Sequence, residues 1–253
     1  MKRYDLVDTL RGFSVISMIL FHACWIMSYF GMAVSQEQIY GTGFTIWERT
    51  ICIGFILIAG FSFSYGHNHL KNALKIFAAG LAITVITCIA VPDIRIVFGI
   101  LTFIGTASLI MIPLDRLIQK TAGRNAAFSI TLFVLCMLIF LFTYNINKGF
   151  LGLTVRSSID LPKELYSGLA ATFFGFTDPS FRSADYFSLI PWIFMYLSGY
   201  FLQKVMRLFG IEDKYLTKGV PVLSSVGRHS LIIYIIHPVI LFALIFCISI
   251  FMK

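Results

Sequence analysis

Charge is what this chain has least of: Asp, Glu, Lys and Arg make up 13% of its 253 residues, against 58% hydrophobic residues and a mean hydropathy of +0.86. A soluble domain carries roughly a quarter charged residues, so that class is excluded and a polytopic membrane protein is implied. Paired cysteines are also lacking. Cys24, Cys52, Cys88, Cys136 and Cys247 each sit inside an apolar run with no CxxC spacing, which points to small buried hydrophobes and gives neither a zinc site nor a disulfide framework. No internal repeat, low-complexity tract or linker interrupts the chain, so residues 1–253 read as a single domain.

What the sequence does have is a succession of apolar runs, each near the ~20 residues that cross a hydrocarbon core. Spans are expected near 10–30, 45–65, 73–91, 97–114, 126–144, 187–206 and 229–251, giving an all-α protein of about seven transmembrane helices. Lys2 and Arg3 ahead of the first run also fit a signal peptide. The run is too long for one, and Arg11 and His22 interrupt it where a disposable segment needs neither.

The net charge of +8 does not form a basic stripe for nucleic acid; the cations cluster in short connections and encode orientation. Counted on alternate sides of seven spans, 13 of the 20 Lys and Arg fall with the N-terminus, which is therefore expected in the cytoplasm. The other side carries the longest connection, roughly residues 145–186. Its semi-apolar piece 164–176 is too short to cross and reads either as an interfacial helix or as a lid over an outer pocket.

Ionisable residues inside these spans are the candidates for chemistry, because each must offset its own desolvation. Arg11 and His22 lie eleven residues apart in the first span, which places them on one helical face about 16 Å apart along the axis. Asp8, three residues before Arg11, can pair with it. In the last span, GRHSLIIYIIHPVI puts Arg228 and His229 at the inner end and His237 roughly 12 Å deeper, comparable in depth to His22. Pro238 removes a backbone donor and frees a carbonyl one turn earlier, so His237 is either part of a site or a side chain that bonds that carbonyl. Gly99, Gly105 and Ser108 read as helix-packing positions. Glu48 and Asp185, at the outer ends of their spans, could bind an acceptor hydroxyl or amine, with an Arg49 salt bridge the plainer role for Glu48.

These residues fall in motifs that resemble a known family. Arg-X10-His preceded by RYDLVDTLRG is similar to the signature of membrane acyltransferases that modify glycans. DTLRGFSVISMILFHACW, FILIAGFSFSYG, IRIVFGILTFIG, DYFSLIPW and VGRHSLIIYIIHPVI, in that order, resemble the bacterial branch of the heparan-α-glucosaminide N-acetyltransferase-like family. The resemblance implies transfer from acetyl-CoA or another acyl-CoA, entering from the cytoplasm, to an amine or hydroxyl of a carbohydrate or cell-envelope glycan outside. It also implies a bacterial cytoplasmic membrane as the location. Two departures stand out: Ile26 occupies the position, four after His22, where bacterial members often place an acidic residue, and residues 31–43 contain no histidine.

An imidazole is the side chain best suited to take a proton from an attacking amine or hydroxyl near neutral pH, so His22 is the candidate general base, with His237 as a second candidate catalytic residue. Arg11 and Arg228, with Asp8, form the candidate cradle for the phosphates of coenzyme A, joined more loosely by Lys71 and Lys75. No metal is implied. The partners are the bilayer and the glycan acceptor, with a homo-oligomer left open. A proton-coupled solute transporter using His22, His237 and Arg11, or a non-catalytic scaffold for envelope assembly, remains the alternative.

Overall fold

A computed structural model describes residues 4–121, 125–154 and 158–251. Of the cations used for the orientation count, Lys2, Arg3, Arg124, Arg156 and Lys253 lie outside the described residues. Eleven α-helices run through the described residues, and the only strands are β1 (Phe150–Leu151) and β2 (Ile159–Asp160), an antiparallel pair in the long connection. The chain divides into two compact units: residues up to Ile58 together with those from Ile211 onward, and Ala59–Gly210.

The first unit contains α1 (Asp5–Tyr29), the short α2 (Gln36–Ile39), most of α3 (Thr42–Phe63), and at the far end of the chain α9 (Glu212–Tyr215), α10 (Pro221–Arg228) and α11 (Ser230–Phe251). Ser35 starts α2 with a capping box, its hydroxyl accepting from Gln38 N–H while the Gln38 side chain accepts from Ser35 N–H. Helix α1 packs on both α10 and α11. Against α10 the contact is between backbones: a Cβ added to Gly12 would stand 2.0 Å from the Leu223 carbonyl oxygen, and one added to Gly227 would stand 1.9 Å from that of Asp8. Only glycine fits at two such crossings. Polar side chains stitch the same seam, with Thr9 and Ser224 hydroxyls 2.8 Å apart, Val220 N–H donating to Thr9 at 3.0 Å and the Ser224 hydroxyl donating to the Asp5 carbonyl at 3.0 Å.

The second unit holds the end of α3 and then α4 (His69–Ala90), α5 (Ile100–Thr121), α6 (Ala126–Thr143), α7 (Gly168–Phe174) and α8 (Leu189–Leu208). Helix α4 packs on α5 and α6 on α8. Gly105 brings α5 against the backbone of Phe77 and Gly80 brings α4 against Thr102, so the packing role expected for Gly105 holds. Ser108 is buried with its hydroxyl 3.1 Å from that of Tyr196, also a packing contact. Trp192 of α8 anchors the other pair among the rings of Phe140, Tyr144 and Phe187.

Among the described residues six helices, α1, α3, α4, α5, α6 and α11, are long and apolar enough to cross a membrane. Their outward faces carry Leu, Ile, Val and Phe, as in Val85, Ile89, Leu138, Val239 and Ile248, all exposed. The seventh expected span coincides with α8, which has the length at 20 residues but ends on Gln203, Lys204 and Arg207 and buries much of its surface within its own unit. The fold is thus all-α and polytopic. Segment 164–176 folds as a 3-10 turn over Lys163–Leu165 followed by α7, seven residues long. It is tied down locally: the Tyr166 hydroxyl donates to the Ile146 carbonyl at 2.6 Å, and the Asp178 carboxylate accepts from Gly168 N–H at 2.7 Å.

Candidate functional site

The chemistry-bearing residues of α1, α10 and α11 converge within the first unit. His22, half-buried on α1, and His237, buried on α11 at 5% exposure, stand with Nδ1 of His22 and Nε2 of His237 2.7 Å apart. Their rings are within 11° of parallel with centroids 5.0 Å apart. That separation is about the nitrogen–nitrogen contact plus one ring radius at each end, so the two imidazoles meet edge to edge and are joined by one hydrogen bond, not by stacked faces. The comparable depth expected for the two residues therefore becomes direct contact. On its far side, His237 Nδ1 lies 2.8 Å from the Tyr234 carbonyl and 3.1 Å from that of Ile233. His237 thus touches His22 through one ring nitrogen and, through the other, reaches the carbonyl that Pro238 cannot bond.

Aromatic residues flank His22. Phe21 lies beside it with ring centroids 6.0 Å apart and packs edge-on against Trp47, whose indole N–H donates to the Ser17 hydroxyl at 2.8 Å. This last bond fixes α3 to α1 close to the histidine. Neither Ser17 nor Trp47 stood out in the sequence, since one polar and one aromatic residue thirty positions apart carry no periodic signal. Glu48 sits next to Trp47 on α3, half-buried.

Toward the N-terminal end of α1, the buried Asp8 carboxylate is shared by two arginines. Arg11 Nη1 lies 2.8 Å from its Oδ1, and Arg228 Nε lies 3.8 Å from its Oδ2. Arg228 Nη2 is 3.2 Å from Asp5 Oδ1. The Asp8–Arg11 pair is the one expected from the three-residue spacing. Convergence of Arg228 follows from the α1–α10 seam, because Gly227 packed on the Asp8 carbonyl leaves the next side chain beside the Asp5 and Asp8 carboxylates. These two carboxylates and two guanidinium groups balance in formal charge, so the cluster is an ordered polar network more than a pool of positive charge. Tyr4, just ahead of α1, donates to Asp213 at 3.1 Å and lies 3.4 Å from Glu212. Partial burial, then the Asp213 and Glu212 carboxylates, push its phenol up to about 12, so the hydroxyl stays a donor throughout the physiological range. His229 ends α10 with Nδ1 2.9 Å from the Ser225 carbonyl, a local contact.

Asp185 is committed elsewhere in its own unit. Its carboxylate, expected to bind an acceptor, accepts from Ile100 N–H at 3.0 Å and so caps the first turn of α5, with Gly99 kept bare by the approach of the same oxygen. Lys71 and Lys75 are exposed on α4. A cavity of about 330 Å³ in the second unit is lined by Phe77, Leu81, Val97, Phe98, Phe173 and threonine methyl groups, and holds no titratable side chain. Among the described residues no group of three His, Cys, Asp or Glu side chains is gathered for a metal ion, and no disulfide joins any of the five cysteines.

No curated protein and no solved structure matches the chain. The family profile described as heparan-alpha-glucosaminide N-acetyltransferase, catalytic, matches residues 3–239, from the segment ahead of α1 to just beyond His237.

Proposed function

The chain belongs to the heparan-alpha-glucosaminide N-acetyltransferase catalytic family, and from that premise we propose that it moves an acetyl group from acetyl-CoA to an amino or hydroxyl group of a carbohydrate acceptor, with His22 as general base. The observation that carries this reading is the His22–His237 contact at 2.7 Å inside a membrane-spanning unit. Here His22 is held through Nδ1 while its Nε2 edge has no hydrogen-bond partner among the described residues, the arrangement of a base awaiting a proton.

Acetyl-CoA supplies a thioester whose carbonyl carbon is open to attack and whose sulfur can leave. His22 Nε2 removes the proton from the acceptor nitrogen or oxygen as the new bond to the acyl carbon forms and the carbon–sulfur bond breaks. The same proton then returns from His22 to the departing thiolate, so the site ends as it began. Acceptor nucleophilicity thus depends on an unprotonated Nε2.

Arg11 and Arg228 suit the phosphates of the donor. Arg228, with 41% of its side chain exposed, spends Nη2 and Nε on Asp5 and Asp8 and has no partner at Nη1 among the described residues, which suits an anion, while Asp8 holds the Arg11 guanidinium in one orientation. This end of α1 faces the cytoplasm, in keeping with the excess of Lys and Arg on that side, and the acceptor approaches from the opposite side. The roughly 16 Å of helix between Arg11 and His22 then spans the distance from phosphate to acyl carbon.

Thermal unfolding of the detergent-solubilised protein with and without CoA tests the donor half of this reading. A stabilising shift that grows with CoA concentration and shrinks in Arg11→Ala and Arg228→Ala is expected. No shift at millimolar CoA would remove the donor from the scheme.

A further inference from the structure

Pro238 follows His237 inside α11, and its ring nitrogen has no hydrogen to give. The acceptor that a residue at 238 would normally use is the carbonyl four positions back, that of Tyr234. His237 Nδ1 takes its place at 2.8 Å, with the Ile233 carbonyl at 3.1 Å on the same nitrogen. A carbonyl oxygen only accepts, so Nδ1 of His237 carries the hydrogen. A neutral imidazole has one N–H, which leaves Nε2 of His237 as a lone pair. The contact at 2.7 Å then requires Nδ1 of His22 to donate, and this in turn leaves His22 Nε2 unprotonated.

From this chain of single choices we propose that Pro238 is a positioning residue for the acyl transfer: by freeing the Tyr234 carbonyl it fixes the tautomers of His237 and His22 and leaves His22 Nε2 as the basic nitrogen. The proposal rests on the acetyltransferase reading and deepens it. It also gives the proton somewhere to go. Once His22 Nε2 has taken the acceptor's proton, the hydrogen on His22 Nδ1 shifts to His237 Nε2, and the resulting imidazolium has a partner at each nitrogen, a carbonyl at Nδ1 and His22 at Nε2. Reversal of the shift returns that hydrogen to Nδ1 of His22, whose Nε2 proton then passes to the thiolate, with no net change in either ring. The Ile26 departure from an acidic residue is compatible with this arrangement, because orientation comes from a second histidine anchored on a backbone carbonyl.

Nitrogen-15 NMR of the protein labelled at histidine and held in bilayers reads the tautomers directly. Wild type is expected to show His22 and His237 both protonated at Nδ1 and bare at Nε2, with coupling across the pair. Pro238→Ala restores an N–H that competes for the Tyr234 carbonyl, so His237 should populate the other tautomer and kcat should fall about 10- to 100-fold with the KM for acetyl-CoA unchanged. Wild-type His237 protonated at Nε2 overturns the proposal, and so does a Pro238→Ala variant with unaltered tautomers and unaltered kcat. If Pro238→Ala fails to fold, the wild-type spectrum alone decides. The stated tautomers in a protein that transfers no acetyl group would sink the enzymatic reading, whereas transfer by a protein with the opposite tautomers would sink only this inference.

Discussion

Replacing Gly227 with alanine is expected to destabilise the protein even though alanine is the better helix former. On propensity alone the exchange should gain about 0.5–1 kcal/mol. The new methyl group, however, would stand 1.9 Å from the Asp8 carbonyl oxygen, where ordinary contact begins at 3.4 Å. Both atoms belong to backbone, so no side chain can swing aside and α1 and α10 must part by roughly 1.5 Å. Separation of that size breaks the Thr9–Ser224 contact of 2.8 Å and stretches the Arg228–Asp5 pair from 3.2 Å. Overpacking costs about 1–3 kcal/mol and each lost polar contact about 1 kcal/mol, giving roughly 2–5 kcal/mol in all. Unfolding of purified protein in mixed micelles by increasing detergent denaturant measures the difference, with Gly12→Ala expected to behave alike. Gly43→Ala is the control, because its methyl group would meet nothing within 4 Å. Stability of Gly227→Ala equal to or above wild type would refute the close crossing of α1 and α10.

Trp47→Phe keeps the ring against Phe21 but strands the Ser17 hydroxyl, so a loss of about 0.5–1.5 kcal/mol is expected in the same unfolding assay, with no further loss when Ser17→Ala is added. In the long connection, the Gly168 N–H and then the hydroxyl and amide of Ser180 hold the Asp178 carboxyl down to about 2 from its ordinary 3.8. A lowered folded value means the contribution is present above the ordinary value and is lost as pH falls through about 2. Asp178→Asn should imitate that loss at neutral pH. Faster hydrogen exchange at Gly168 and Ser180 in the variant is the expected result, and equal protection would show that the carboxylate does not hold the start of α7.

The sequence made the spans and their polar exceptions visible for one physical reason: lipid leaves few places for an ionisable group, so each one marks a buried task. Asp8 with Arg11 followed from helical spacing, and His22 with His237 from equal depth on two helices that start from the same side. Depth alone could not say that the rings touch, because that depends on how α1 rotates against α11. The seam that brings Arg228 to the carboxylates was less legible. Between the spans expected near 187–206 and 229–251 no further element stands out, whereas α9 and α10 fold there, and an eight-residue helix opening on Pro221 is too short to impose a hydrophobic period. Asp185 shows the opposite difficulty. A carboxylate at the end of a span suggests a ligand, yet a helix N-terminus elsewhere in the chain needed an acceptor for Ile100 N–H, and no local pattern records a cap supplied from eighty-five residues away.

The proposed acetyl transfer has His22 as its base. Purified protein in lipid nanodiscs, given radiolabelled acetyl-CoA and an amino sugar, should form labelled N-acetyl sugar. His22→Ala should lower kcat by about 10²–10⁴ while the CoA-induced thermal shift persists. Transfer by His22→Ala at the wild-type rate would contradict the assignment of His22 as the base.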